Sequence, residues 1–348
     1  MLSEPLRGGL VGFGFIAEHG HVPAYRALPQ LFDIVAVADI SEERRTRAAL
    51  MLPKARIYPD ADTLLAEERG LDFVDIATPP CDHASIAHAA LDRGLHVFCE
   101  KPIATSSAEA RGLVEHALSA RRVLFPSHNY KHAPVLKVIR DVLDAGQLGA
   151  VHLVTLDTFR TTHAKGVAEW KPDWRRQHAL SGGGIAMDHG SHTFYLAFDW
   201  FDALPTSITA RTSNVSEWDT EDNISCTLTF PRGVAVAQLT WTAGFRKVIY
   251  TIHGERGAIK VEDDVVEIHR DGNVERIPAP SNWMDASHAT WFRELFVELA
   301  RAIKTDLYVG REAADAVACV EVIEAAYASA RAGGQSVDLV RTPMIKAG

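Results

Sequence analysis

From Gly8 to about Ser127 short apolar runs alternate with amphipathic stretches. Leu10–Phe13, Ile34–Ala38, Phe73–Ala77, Val97–Cys99 and Val123–Phe125 read as strands, with helices such as Glu42–Leu50, Ser85–Arg93 and Ser107–Ser119 between and after them. Runs without alternation belong to strands buried on both faces, so the pattern predicts a βαβ series, a doubly wound parallel sheet covered by helices. A helix at Pro134–Ala145 follows, and Gly146 and Gly149 punctuate its exit. Beyond Ala150 the period becomes two: Ile224, Cys226, Leu228 and Phe230 face one way, Ser225, Thr227 and Thr229 the other. That alternation predicts an open, mainly antiparallel sheet, with further strands at 207–212, 234–242, 248–253 and 265–269. Helices at Ala289–Lys304 and Glu312–Arg331 are expected to cover one of its faces. The fold class is therefore α/β: a nucleotide-type domain over 1–127 and an α+β substrate and oligomerisation domain over 128–348, with a cleft between them.

The 348 residues suit two domains, and the apolar share of 47% with 23% charged residues lets both bury ordinary cores. A net charge of −9 argues against nucleic acid as the main partner, because phosphate binding needs a concentrated basic face. Met1–Gly9 lacks a signal-like apolar run and no segment reaches membrane-spanning length, so a cytoplasmic protein without a membrane partner is expected. Cys81, Cys99, Cys226 and Cys319 are scattered, which suggests reduced, buried thiols. The open sheet leads us to expect a homodimer or homotetramer.

Gly12-Phe13-Gly14-Phe15-Ile16-Ala17 directly follows the first strand and opens the first helix. In that context Gly12 permits the turn, Gly14 admits a pyrophosphate to the backbone, and Ala17 allows close helix packing, the signature of a Rossmann domain. Asp39 ends the second strand, where a carboxylate accepts from the adenine-ribose hydroxyls. An acid followed by Ile40, with no Ser-Arg pair, repels a 2′-phosphate, so NAD is expected rather than NADP.

Three further segments complete a pattern: Thr78-Pro79-Pro80 with His83, Glu100-Lys101-Pro102, and Asp188-His189-Gly190-Ser191-His192. With the glycine turn they resemble the Gfo/Idh/MocA oxidoreductases, which include glucose–fructose oxidoreductase and inositol dehydrogenase. The resemblance spans essentially the whole chain, and it implies that Lys101, Asp188 and His192 surround the reacting carbon. Chemistry agrees. Lys101, at the carboxyl end of a parallel strand, can stabilise an alkoxide-like oxygen. Asp188 and His192 lie four residues apart in what reads as one helix, Ile185–Phe201, where the carboxylate can orient an imidazole that moves the hydroxyl proton. Expected cofactor contacts are Gly12, Gly14, Phe15, Ile16, Ala17, Asp39, Ile40, Thr78, Pro79, His83, Glu100, Lys101, Asn129, Trp174 and Arg175. No metal is expected, because Asp188 and His189, adjacent on a helix, point about 100° apart.

On the substrate side, His128-Asn129-Tyr130-Lys131 carries lysine where the resembled motif usually ends in arginine, a point charge without the planar fork. The loop Arg160–Arg176 is basic and aromatic, suited to an acidic or phosphorylated sugar, unless its tryptophans merely anchor it. Candidate substrate contacts are Lys101, Tyr130, Arg160, His163, Trp170, Asp188, His189 and His192. Trp241 and Trp283 read as core or subunit-interface residues. The expected activity is hydride transfer between nicotinamide and a carbinol or keto carbon of a sugar, sugar derivative or cyclic polyol. Its rivals are an enzyme that retains NAD and oxidises a sugar transiently to eliminate or epimerise, and a non-catalytic dinucleotide sensor.

Overall fold

A computed structural model describes residues 4–339; the outermost ends of the expected domain division, 1–3 and 340–348, lie outside the described residues. The first sheet has six parallel strands, β1 (Leu6–Val11), β2 (Phe32–Ala38), β3 (Arg56–Tyr58), β4 (Phe73–Ile76), β5 (His96–Cys99) and β6 (Leu124–Pro126), in the order β3-β2-β1-β4-β5-β6. The order reverses between β1 and β4, and ligands of such sheets bind at the carboxyl ends of the strands beside that switch. Helices Glu42–Met51, Pro80–Asp92 and Ser107–Ala120 occupy the crossovers. The Ser41 hydroxyl caps the first of these by accepting from the Arg44 N–H, and Ser106 caps the third through the Glu109 N–H.

The second sheet has nine strands: β7 (Val151–Phe159), β8 (Ser207–Ser213), β9 (Asn223–Phe230), β10 (Gly233–Thr240), β11 (Lys247–Gly254), β12 (Gly257–Glu262), β13 (Val265–Arg270), β14 (Asn273–Pro278) and β15 (Val337–Asp338). Its order is β14-β13-β12-β11-β7-β10-β9-β8-β15, antiparallel apart from the β7–β10 pair. β7 lies in the interior of the sheet between β11 and β10. Val154, Leu156, Ala237, Leu228 and Ile252 form the buried face, under helices Pro134–Asp144 and Gly190–Phe201.

Three expectations change here. The helix Ala289–Lys304 does not cover the second sheet: Phe292, Leu295, Phe296 and Leu299 pack with Leu10, Phe13, Phe32, Phe73 and Phe98 on the first. Helix Arg311–Arg331 serves both, with Ala313, Ala316, Val317 and Val320 toward the first core and Cys319, Val322 and Ile323 toward the second. An apolar stripe shows that a helix is buried, not which sheet buries it. Second, Ile185–Phe201 is not one helix but two, Ile185–Asp188 and Gly190–Phe201, broken at His189. All four cysteines are free thiols, with Cys81 partly exposed rather than buried. Trp241 and Trp283 both belong to the second core. Among the described residues no helix is long and apolar enough to cross a membrane.

Candidate active site

A cleft of about 540 Å³ runs from the β1 turn to the second sheet. At one end Gly12 adopts φ +87°, and a Cβ there would lie 2.8 Å from the Ala77 carbonyl carbon and oxygen, so only glycine fits the turn. A Cβ on Gly14 would meet nothing within 4 Å, because that backbone faces the open cleft. Asp39 lines the cleft and braces the turn: its carboxylate accepts from the Phe13 N–H at 2.6 Å and the Ser41 N–H at 2.8 Å. Thr78 also lines the cleft, and its buried Oγ1 has no partner among the described residues. A bare glycine backbone, an edge carboxylate and an unpaired hydroxyl fit a dinucleotide.

Behind this end lies a network that the sequence reading missed. The helix after the turn contains a π-helical segment, Ala17–His21, which places His21 in the interior. His21 Nδ1 lies 2.9 Å from Asp75 Oδ2, and Nε2 lies 3.2 Å from Glu100 Oε1. Tyr25 donates to the same Asp75 oxygen at 3.0 Å, and Ser127 to Glu100 at 2.7 Å. Burial alone would lower the His21 pKa, but the Asp75 and Glu100 carboxylates outweigh it and raise it to about 9. The other Glu100 oxygen accepts from the Lys101 backbone N–H at 3.2 Å, so the network holds the chain that carries Lys101.

Lys101, before a cis peptide to Pro102, reaches across to the second half of the chain. Its Nζ donates to the Asp188 backbone oxygen at 2.8 Å and to Asp188 Oδ1 at 2.9 Å. Arg175 Nε approaches the same Oδ1 at 3.3 Å, and His189 Nδ1 lies 3.2 Å from Oδ2. Burial opposes ionisation of Asp188, but Lys101 and Arg175 hold its carboxyl well below the usual range. His189 is pushed down to about 4, chiefly by burial.

The expected Asp188–His192 pairing is not formed, because the break at His189 turns Asp188 toward Lys101. His192 is instead fixed by two tyrosines. Its Nδ1 is 2.8 Å from the Tyr195 hydroxyl, and its ring stacks on Tyr130 with centroids 3.8 Å apart. Nε2 is the nitrogen left without a protein partner among the described residues. Burial, then the Lys101 charge, hold the imidazole well below its ordinary pKa, hence neutral.

The cleft brings together the expected Gly12, Gly14, Phe15, Ile16, Asp39, Ile40, Thr78, Pro79, Glu100, Lys101, Asn129, Tyr130, Arg160, His163, Trp170, Trp174, Arg175, Asp188, His189 and His192. Two lie elsewhere. Ala17 is buried beneath the turn, in the packing role expected of it. His83 is buried between the Pro102 and Thr78 carbonyl oxygens, at 2.7 and 2.8 Å, and ties the two loops together without entering the cleft. His163, although in the lining, has both ring nitrogens engaged by Asp173 and Arg176. Lys131 turns away to Asp315, 3.1 Å distant and buried. Trp170 and Trp174 line the cleft under their own neighbours, with the Arg175 guanidinium 4.1 Å from the Trp174 ring. Arg246 and His288 also enter the cleft. Neither stood in a recognisable motif; the basic residue after Gly244-Phe245 in a loop between strands was the available signal for the first.

Residues 6–128 match the family described as oxidoreductase family, NAD-binding Rossmann fold, and residues 136–260 match its C-terminal domain. D-apiose dehydrogenase of Paraburkholderia graminis is 29% identical over 342 residues, covering 94% of this chain and 88% of that protein. The structure of levoglucosan dehydrogenase in complex with NADH and levoglucosan superposes with a TM-score of 0.85 at 21% identity, over 97% of this chain and 100% of the other. An inositol dehydrogenase homologue from Azotobacter vinelandii, complexed with NAD+, gives 0.83 at 22% identity, over 97% and 98%.

Proposed function

The chain belongs to the Gfo/Idh/MocA oxidoreductase family, with its NAD-binding Rossmann fold, and from that premise we propose that it is an NAD-dependent dehydrogenase acting on a carbinol carbon of a sugar or cyclic polyol. The observation that carries this reading is the meeting of Lys101, just after β5, with Asp188 and His192, on the helices Ile185–Asp188 and Gly190–Phe201, in one cleft that also holds the glycine turn. When bound, the nicotinamide supplies the redox chemistry, taking or giving the hydride.

The chain's own residues do the rest. Gly12 and Gly14 leave room for the pyrophosphate, and Asp39 receives the ribose hydroxyls. Lys101, positioned by its contact with Asp188, stabilises negative charge on the substrate oxygen. His192, neutral and aimed by Tyr195, exchanges the hydroxyl proton at Nε2. The relatives that act on apiose, levoglucosan and inositol support a polyhydroxylated substrate.

The test is NADH formation by the purified full chain against inositols, aldoses, uronates and sugar phosphates. Stoichiometric release of NADH with product is the expected result; product without NADH overturns the reading. NAD preference has its own test. Asp39→Ser combined with Ile40→Arg removes the charge that repels a 2′-phosphate and adds one that attracts it, so the ratio of kcat/KM for NADP to that for NAD should rise at least about tenfold. An unchanged ratio rejects the role given to Asp39.

A further inference from the structure

The substrate end of the cleft is over-supplied with positive charge. Arg160 follows β7 directly and is buried, with 4% of its surface exposed. Its backbone is fixed on both sides: N–H donates to the Thr240 oxygen at 2.9 Å, and its oxygen accepts from the Ala243 N–H at 3.0 Å. Nη1 donates to the Phe159 and Lys247 carbonyl oxygens at 2.9 and 3.2 Å, which fixes the guanidinium plane. Nε and Nη2 have no partner, and no carboxylate pairs with this group, among the described residues.

Arg246, exposed on the loop before β11, is a second cation in the cleft lining. Its Nη2 donates to the Trp283 carbonyl oxygen, and among the described residues it too forms no ion pair. Burial, then the Arg160 charge, lower its pKa, so the two guanidiniums sense each other. Asp263 offsets part of this, but it is already paired with Lys247 at 3.1 Å. His288, whose Nδ1 is buried without a partner among the described residues, is pushed down to about 4 by burial, and both arginines add to that against the opposing Asp285. Asp188, beside Lys101, is already shared by Lys101, Arg175 and His189. Glu100, on the same side, is matched by buried His21.

A buried guanidinium facing only carbonyl oxygens is costly, because dipoles do not neutralise its charge. Sugar hydroxyls have the same shortcoming. An oxyanion does not: a carboxylate or phosphate presents two oxygens to the planar fork that Nε and Nη2 leave free. The place is also right. Tyr130 stacks on His192, and its ring centroid lies 5.8 Å from that of His288 and 5.4 Å from that of Trp283, the residue whose carbonyl holds Arg246, so Tyr130 links the imidazole to the surroundings of Arg246.

We propose that the substrate is an anionic polyol, a sugar acid or a sugar phosphate, whose terminal oxyanion is received by Arg160 and Arg246 while a carbinol a few carbons away faces Lys101 and His192. This rests on the dehydrogenase reading and narrows it. Arg160 and Arg246 are then specificity-determining residues, and a neutral polyol leaves them unpaired.

The experiment is equilibrium binding to the NADH-loaded full chain, followed by calorimetry, of D-gluconate, D-glucuronate and D-glucose 6-phosphate against D-sorbitol and D-glucose. The anions are expected to bind at least about tenfold more tightly, and Arg160→Gln to remove roughly 10- to 100-fold of that affinity while leaving NADH binding intact. Arg246→Gln, on a more exposed loop, provides the same comparison if Arg160→Gln fails to fold. The carboxylate and phosphate arms identify which oxyanion is preferred. Equal affinity for gluconate and sorbitol, no saturable binding of any anion, or unchanged anion affinity in both variants overturns the proposal. Turnover keeps the two readings separate: neutral polyols oxidised as well as the acids sink the anion proposal alone, whereas tight anion binding with no NAD reduction by any compound sinks the dehydrogenase and leaves the anion site standing.

Discussion

Lys101→Ala and His192→Ala should each lower kcat by about 10²- to 10⁴-fold, the range that a positioned acid–base or charge-stabilising group supplies. The reasons differ. Without Lys101 the substrate oxygen loses the ammonium that stabilises it, and Asp188 keeps only Arg175 and His189. Without His192 the proton has no acceptor, although Lys101 remains in place. NAD binding should survive in both variants, because Gly12, Gly14 and Asp39 lie at the other end of the cleft. Steady-state kinetics together with a direct NADH titration check this, and near-normal turnover by either variant removes that residue from the mechanism. The pH profile separates the roles further: His192→Asn, which can still bond to Tyr195, should abolish the limb set by the imidazole, whereas Lys101→Ala should retain it.

The second large effect concerns stability. His21 is fully buried and its pKa is raised from 6.5 to about 9 in the folded chain, so the folded state holds this proton more tightly than the unfolded one. The stabilisation is therefore fully present below about pH 6.5 and is lost as pH rises through about 9; a shift of that size corresponds to something on the order of 3 kcal/mol. Thermal unfolding between pH 6 and 10 should show the decline, and an imidazole NMR titration should place the His21 midpoint near 9. His21→Gln leaves Asp75 and Glu100 buried without their cation, so it should be less stable at every pH and lack that particular slope. A wild-type curve that stays flat from pH 6.5 to 9 refutes the assignment. Because Glu100 also accepts from the Lys101 backbone N–H, the variant should additionally lose turnover.

What the sequence revealed follows from how local each constraint is. The glycine turn, Asp39 and Glu100-Lys101-Pro102 occupy strand ends, and a parallel βαβ series places every such end on one rim, so periodicity located them. Asp188 and His192 were found as residues but misread as a pair, because the continuous apolar pattern conceals the break at His189 that turns the carboxylate to Lys101. β7 was passed over as a strand, since outward Leu153 blurs its alternation. Arg246 and His288 depend on long-range geometry: one sits on the connection from β10 to β11, which crosses over β7, and the other adopts φ +46° itself just before the helix Ala289–Lys304. His21 was missed because a π-helical segment rotates the face it occupies away from ordinary helical spacing.

The seating of Ala289–Lys304 on the first sheet also bears on how the molecule is made. Phe13, Phe32, Phe73 and Phe98 leave the ribosome early, whereas Phe292 and Phe296, which complete their cluster, follow only after strands β7 to β14 have been translated. Until then the nascent nucleotide-binding half carries a bare aromatic face, the kind of surface that invites aggregation or chaperone capture. Its maturation is a docking step, and the newborn chain completes its cofactor-binding half only when the helix Ala289–Lys304 arrives.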